Sequence, residues 1–158
     1  MRYYLDAEFN GFGGALISIG LAPENDSRPP FYGAVSCPDP TPWVAAHVLP
    51  VLEAAPTTYV ELQDAFADYL AADGEAILVA DWPEDIVHAA RLLVTDDGRR
   101  LILSAVGFQL APVVNFSSAE LSAVPHNAYH DAVALRTFCM ARQATAQERC
   151  AAPAEAQK

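Results

Sequence analysis

Three groups of acidic residues, one of them with a histidine, are the parts of this sequence that could perform chemistry. The first is the pair Asp6 and Glu8, in a β-prone run near the start of the chain. Residues two apart on a strand face the same side, so these carboxylates would lie together, opposite Leu5, Ala7 and Phe9. Buried neighbouring carboxylates repel each other and lose hydration, and a cation between them relieves both costs. A solvated strand edge is the alternative for this pair taken alone.

The second and third groups lie at the starts of predicted helices. Asp81, Glu84 and Asp85 follow a short apolar run, and His126 precedes Asp131 by five positions. Acids in a first helical turn are favoured by the helix macrodipole, so each group by itself fits helix electrostatics better than catalysis. A surface position is likewise the simpler interpretation of the histidine alone. The separation of five residues nevertheless lets His126, in the loop before the helix, fold back beside the Asp131 carboxylate.

Considered together, the three groups favour a metal site. Strand ends and helix starts meet at one edge of the central sheet in α/β proteins, where their sites usually form. The set consists of carboxylates without a Cys/His cluster, and hard oxygen ligands select Mg²⁺ or Mn²⁺ over zinc. Two such ions about 3.5–4 Å apart suit the in-line attack of water on a phosphodiester.

Hydrophobic periodicity and turn residues predict the elements that would position these groups. An antiparallel meander of three strands opens the chain, and helices then alternate with further strands, which predicts an α/β layered sheet with helices on its faces. The predicted strands cover 2–5 with its acidic continuation, 15–21, 31–35, 77–80 and 101–106. The predicted helices open at Thr41-Pro42, cover about 60–70, open at Pro83, and cover about 128–142, with a brief turn at Ser117-Ser118. We expect one domain over 1–142 and a disordered tail over 143–158.

Composition limits the function classes. The chain has 158 residues, of which 53% are apolar, enough for the core of one domain. A net charge of −11 argues against tight binding to a long duplex, and leaves open a short substrate held through metals, or arginines clustered locally or across a homodimer. No apolar run is long enough to span a membrane, and no signal peptide is recognisable. The cysteines at 37, 139 and 150 are expected to be free thiols in a reducing cytoplasm.

The order of the motifs resembles that of the DEDDh exonucleases, a superfamily with a ribonuclease H-like fold. The resemblance rests on Asp6-Ala7-Glu8-Phe9, on an aspartate opening a mid-chain helix, and on His126-x-x-x-x-Asp131 before a C-terminal helix. The compact size and the opening Met1-Arg2-Tyr3-Tyr4-Leu5 are similar to those of small bacterial and phage 3′–5′ exoribonucleases. In the second motif Asp85 fits best, since it falls one turn into the helix, and Asp81 is its rival.

The resemblance implies a function and a role for each residue. Asp6, Glu8, Asp85 and Asp131 would hold two Mg²⁺ ions, for which Mn²⁺ can substitute, and His126 would be the general base. The enzyme would degrade single-stranded or 3′-overhang RNA from its 3′ end and release nucleoside 5′-monophosphates, with DNA as the alternative substrate. A non-catalytic ribonuclease H-like module that binds nucleotides or proteins is the alternative function. Candidate substrate-binding residues are Phe9, for which core packing is an equal alternative, Phe12 and Tyr129.

Overall fold

A mixed five-stranded sheet organises the chain, in the order β3-β2-β1-β4-β5. The computed structural model describes residues 1–95, 97–99 and 105–151, with side chains described up to position 148. The first three strands form an antiparallel meander, and the last two run parallel to β1 and to each other. The strands are β1 (Arg2–Phe9), β2 (Leu16–Pro23), β3 (Phe31–Ala34), β4 (Glu75–Ala80) and β5 (Ala105–Leu110). The predicted α/β class with an N-terminal meander is confirmed.

Local signals set the helix starts. Thr41 accepts a hydrogen bond from the Val44 N–H, and Thr58 forms a capping box with Glu61. The two helices that follow these threonines begin directly after their capping residues. Pro83 opens the next helix, where a missing N–H costs nothing. The helices are α1 (Pro42–His47), α2 (Tyr59–Ala71), α3 (Pro83–Arg91), α4 (Ser118–Leu121) and α5 (Ala128–Ala151), with a 3₁₀ turn at Leu49–Val51.

Helices cover both faces of the sheet, as predicted. Leu5 and other apolar residues on one face of β1 belong to a core cluster with α2 and α3. Tyr4, on the opposite face, packs with Ala132 and Leu135 of α5. Because side chains alternate along a strand, Asp6 shares the α5 face with Tyr4. The start of α5 therefore lies over the acidic end of β1.

Gly20 allows α5 to approach the sheet this closely. It pairs with Asp6 across β1 and β2. A Cβ atom at this position would lie 2.4 Å from the carbonyl oxygen of Ala128 and 2.7 Å from the N–H nitrogen of Tyr129. A glycine is thus required for the first turn of α5 to rest against β2.

Two predicted boundaries differ from the structure. Only the last two residues of the predicted strand 101–106 are described, and there the strand continues to Leu110. The last helix runs to Ala151, past its predicted end at Arg142, because neither glycine nor proline interrupts that stretch. Residues 152–158 of the predicted tail lie outside the described residues. In the described part of the chain no helix combines the length and the apolar character that a membrane crossing needs.

Candidate metal centre

Four of the acidic residues line a cleft at the end of β1, and Asp131 and His126 are not among the residues of its lining. The cleft has a volume of about 530 Å³. β1 contributes two carboxylates two residues apart, β4 ends directly before Asp81, and the first turn of α3 carries Asp85. Its lining consists of Asp6, Ala7, Glu8, Phe9, Gly11, Phe12, Thr41, Trp43, Asp81, Trp82, Asp85 and Ser118.

Two groups of potential metal ligands meet on β1. The β1–α3 cluster comprises Asp6, Asp81 and Asp85, each with a carboxylate oxygen within 4.8 Å of the others. The β1–α5 cluster comprises Glu8, His126 and Asp131, whose potential ligand atoms also lie within 4.8 Å of one another. Since Asp6 and Glu8 share one face of β1, the two clusters are adjacent. All five residues predicted for catalysis are therefore brought together, and Asp81, considered only as a rival, joins them.

The electrostatics of both clusters are those of carboxylates crowded in a poorly hydrated site. Burial raises the pKa of Asp6 well above its ordinary value, and the neighbouring Asp85 and Glu8 raise it further. The pKa of Glu8 rises to about 8, chiefly through burial and then through Asp131. The pKa of Asp85 also rises to about 8, through burial and then through Asp81. Without a cation, these acids favour their protonated forms at neutral pH.

Several buried carboxylate oxygens lack a partner. Asp85 and Asp131 are each only 2% exposed. Among the described residues, no hydrogen-bond partner is present for Oδ2 of Asp6, Oδ2 of Asp85 or Oδ1 of Asp131. Unpartnered buried carboxylate oxygens are costly, and divalent cations with oxygen ligands satisfy them. The donor set fits Mg²⁺ or Mn²⁺, because oxygen atoms predominate and no thiolate is present in either cluster.

His126 is held beside Asp131 by the backbone. Its φ of 66° lies in the left-handed region, which costs energy for a residue other than glycine. In this conformation its N–H donates to Oδ2 of Asp131, at 3.1 Å. The ring lies edge-on to Trp43, with 4.9 Å between ring centroids. A strained residue held in this way beside an acidic cluster is typical of a functional site.

Asn127 anchors the same segment. Its side-chain amide donates to the carbonyl oxygen of Val51 at 2.7 Å, which ties the loop to the 3₁₀ turn. Its side-chain oxygen accepts from the N–H of Tyr129 at 3.0 Å and so caps α5. The neighbouring His130 contacts Glu53 at 3.1 Å and lies outside both clusters, as expected of a helix-face residue.

Three large aromatic side chains around the cleft are unusually exposed. This aromatic rim comprises Phe12, Trp43 and Trp82, which are 86%, 50% and 49% exposed. Phe9 also lines the cleft, and its ring stacks on His88 with 5.2 Å between centroids. Tyr129, predicted to contact substrate, is not among the cleft residues, and its ring lies 6.2 Å from that of Tyr32.

The two tryptophans of the rim are not among the candidate residues predicted from the sequence. Trp82 directly follows Asp81, so its position beside an acidic group was a usable signal. Trp43 lies on α1, and nothing in its local sequence indicates a contact with His126.

Comparison with known proteins does not assign the chain to a family. No protein-family model matches it, and a search of the curated proteins finds no significant match.

Proposed function

We propose that this chain is a metal-dependent 3′–5′ exonuclease that removes nucleoside 5′-monophosphates from the 3′ end of RNA. The observation that carries the proposal is the meeting of Glu8, His126 and Asp131 beside a second carboxylate cluster. Glu8 and that second cluster line an open cleft. A crowded set of acids by itself indicates cation binding. A histidine held at the same place adds a group that can accept a proton, which hydrolysis of a phosphodiester requires.

The carboxylate groups of the two clusters provide the closely spaced oxygen ligands that divalent cations need. Asp6, Glu8, Asp85 and Asp131 would hold two Mg²⁺ or Mn²⁺ ions, with Asp81 adjacent to Asp6 and Asp85. When bound, such ions neutralise the charge of the phosphate group that is attacked. The carboxylates in turn are relieved of the mutual repulsion that raises their pKa values.

His126 would act as the general base. Its ring accepts a proton as the oxygen of an attacking water bonds to phosphorus, and the bond from phosphorus to the 3′ oxygen of the preceding nucleotide breaks. The leaving oxygen takes a proton from solvent. The hydrogen bond from the His126 N–H to Asp131 keeps the ring at the acidic edge of the cleft. The 3′–5′ direction and the choice of RNA rest on the resemblance of the three motifs to DEDDh exonucleases.

The test is degradation of 5′-labelled single-stranded RNA and a DNA of matched sequence, in Mg²⁺ and in EDTA. We expect a ladder of products shortened one nucleotide at a time from the 3′ end, with Mg²⁺ only, and faster with RNA. His126→Ala should slow the chemical step by roughly 10²–10⁴-fold, the usual contribution of a general base. Asp131→Asn should abolish cleavage. Folding of each variant is checked by circular dichroism.

Two outcomes would contradict the proposal. Wild-type protein that leaves every oligonucleotide intact in both Mg²⁺ and Mn²⁺ is not an exonuclease of this kind. A near-normal rate for purified His126→Ala would remove the histidine from the mechanism. If calorimetry also detects no Mn²⁺ binding, the non-catalytic interaction module becomes the better interpretation.

A further inference from the structure

We propose that a second cavity, between α5 and strands β1, β4 and β5, binds a phosphate group, either as inorganic phosphate or as a small phosphate monoester. The cavity has a volume of about 270 Å³ and shares no residue of its lining with the acidic cleft. We name it the Arg2–Arg142 cavity, after the two arginines that line it. Its charge, an unpartnered buried hydroxyl and its size all indicate a small anionic ligand.

Three neighbouring strands form the floor of the Arg2–Arg142 cavity. Tyr4, Val79 and Gln109 are paired in register across β1, β4 and β5. Arg2 lies two residues before Tyr4 and therefore projects from the same face of β1. α5 packs over this face and contributes Arg142 to the lining. The two arginines thus approach one space from the sheet and from the helix above it.

Both arginines keep positive charge available for a ligand. Arg2 donates to Oε1 of Gln109 at 2.8 Å. Arg142 donates to the carbonyl oxygen of Val114 at 3.1 Å. Both acceptors are uncharged, and a guanidinium has further N–H donors beyond the one used here. The ion pair of Arg2 with Glu24 is long, at 3.9 Å, and the Glu24 side chain is 41% exposed, so it neutralises little of the charge.

The surroundings make this pair of cations unusual. The described lining of the cavity contains no carboxylate, whereas the whole chain has a net charge of −11. Both arginines also lower the pKa of the Cys139 thiol, which burial raises, so both charges lie near one side chain of the lining. Arginines placed together without acidic partners are typical of sites that bind phosphate or carboxylate groups.

The hydroxyl of Tyr4 is a buried donor that lacks an acceptor. Tyr4 is 1% exposed, and among the described residues its Oη has no hydrogen-bond partner. Burial raises the pKa of Tyr4, so the phenol keeps its proton at neutral pH. Cys139 raises this pKa further and Arg2 lowers it, which places the hydroxyl near two other side chains of the cavity. A ligand oxygen would remove the cost of leaving this donor unpaired.

The donors favour phosphate over a carboxylate. A phosphate group presents at least three acceptor oxygens in different directions, whereas a carboxylate presents two in one plane. The donors of Arg2, Tyr4 and Arg142 come from the sheet and from the helix above it, which suits the former. The volume of about 270 Å³ lies just below the roughly 300–1,000 Å³ of sites for drug-sized ligands. We therefore expect a small phosphate compound rather than a nucleotide.

Protection of Cys139 locates the ligand in the unmodified protein. Alkylation by iodoacetamide, an uncharged reagent, is followed separately at Cys139 and Cys37 by peptide mass spectrometry, in EDTA and at constant ionic strength. Cys139 lines the cavity, and Cys37 packs in another cluster and is the internal control. Inorganic phosphate or glycerol 3-phosphate at ten times Kd should slow alkylation of Cys139 by about tenfold and leave Cys37 unchanged. Acetate should protect neither.

Calorimetry in EDTA measures the contribution of each donor. Without divalent cations, the acidic cleft offers nothing that attracts phosphate. Arg142→Gln and Tyr4→Phe should each weaken phosphate binding by about 10–150-fold, the loss of one hydrogen bond to a charged group. Tyr4→Phe should also raise the Tm of the ligand-free protein, because it removes an unpaired buried hydroxyl.

Two matched variants serve as controls for these substitutions. Arg91→Gln changes an arginine that lines a different cavity and should leave phosphate binding unchanged. Tyr69→Phe removes a hydroxyl that already donates to the carbonyl oxygen of Pro29, and should leave binding unchanged without raising the Tm.

The outcomes are decisive for the cavity and independent of cleavage. Tighter binding of glycerol 3-phosphate than of inorganic phosphate identifies an ester as the ligand, and the reverse identifies phosphate itself. Binding that leaves Cys139 unprotected, or that is lost in Arg91→Gln and kept in Arg142→Gln, overturns the assignment. Equal protection by acetate overturns the choice of phosphate. Absence of binding in calorimetry means that the cavity holds water alone. The exonuclease proposal stands or falls separately, because none of these measurements uses nuclease activity.

Discussion

Replacement of Glu8 by glutamine should stabilise the metal-free protein at neutral pH and leave it unchanged in acid. Burial and the nearby Asp131 raise the pKa of Glu8 from its ordinary 4.5 to about 8. Between these values the folded state binds more protons than the unfolded chain. The free energy of unfolding therefore contains a contribution that is complete below about pH 4.5 and is lost as pH rises through about 8.

The magnitude at neutral pH follows from the distance between that pH and the ordinary pKa of Glu8, because the raised pKa of about 8 lies above it. At about pH 7 the difference of 2.5 between 7 and 4.5, at 1.36 kcal/mol for each pH unit, corresponds to about 3 kcal/mol. Glutamine has nearly the shape of glutamate and no charge, so Glu8→Gln should remove this loss. For a chain of this length about 3 kcal/mol corresponds to a rise in Tm of about 6–12 °C.

The assay is thermal unfolding followed by circular dichroism across the acid to mildly alkaline range, in EDTA and with saturating Mn²⁺. In EDTA the two proteins should unfold at similar temperatures in acid and diverge as pH rises. Mn²⁺ should raise the Tm of the wild type, because binding at 100 times Kd adds about 2.7 kcal/mol to the free energy of unfolding. It should raise the Tm of Glu8→Gln less. Asp64→Asn, which removes an exposed acid on α2, is the matched control. Parallel pH profiles for wild type and Glu8→Gln in EDTA would show that Glu8 does not destabilise the metal-free protein at neutral pH.

Two further substitutions test parts of the site. Asp85→Asn should lower kcat by more than about 100-fold, as expected for a metal ligand. Asp81→Asn should lower it by about 10–100-fold, as expected for a residue that supports a ligand. The opposite order in steady-state assays would make Asp81 the ligand. Gly20→Ala places a Cβ 2.4 Å from the Ala128 carbonyl oxygen and should cost about 1–3 kcal/mol in chemical denaturation, together with weaker Mn²⁺ binding in calorimetry. Gly107→Ala is its control, because that Cβ would meet nothing closer than 3.9 Å; equal losses for the two variants would show that the approach of α5 is not responsible.

Local sequence was sufficient to predict most helices and strands, and to predict which residues of one strand share a face. Hydrophobic spacing predicted a helix over about 60–70, where α2 lies, and the proline at position 83 predicted the start of α3. Strand alternation placed Asp6 and Glu8 on one face, because that relation depends on nearest neighbours alone. The end of α5 was predicted too early, since a run of good helix formers contains no stop signal before Ala151.

The chemical types at the site and their order along the chain follow from the amino-acid sequence alone: carboxylates at strand ends and helix starts, and a histidine five positions before the last of them. The contact of Asp81 with Asp6 and that of Trp43 with His126 are visible only in the folded chain. The spacing of residues within one helix or strand fixes the face on which their side chains project, because local backbone geometry sets it. Contacts between distant elements depend on strand order, register and close approach, which arise from packing the whole chain.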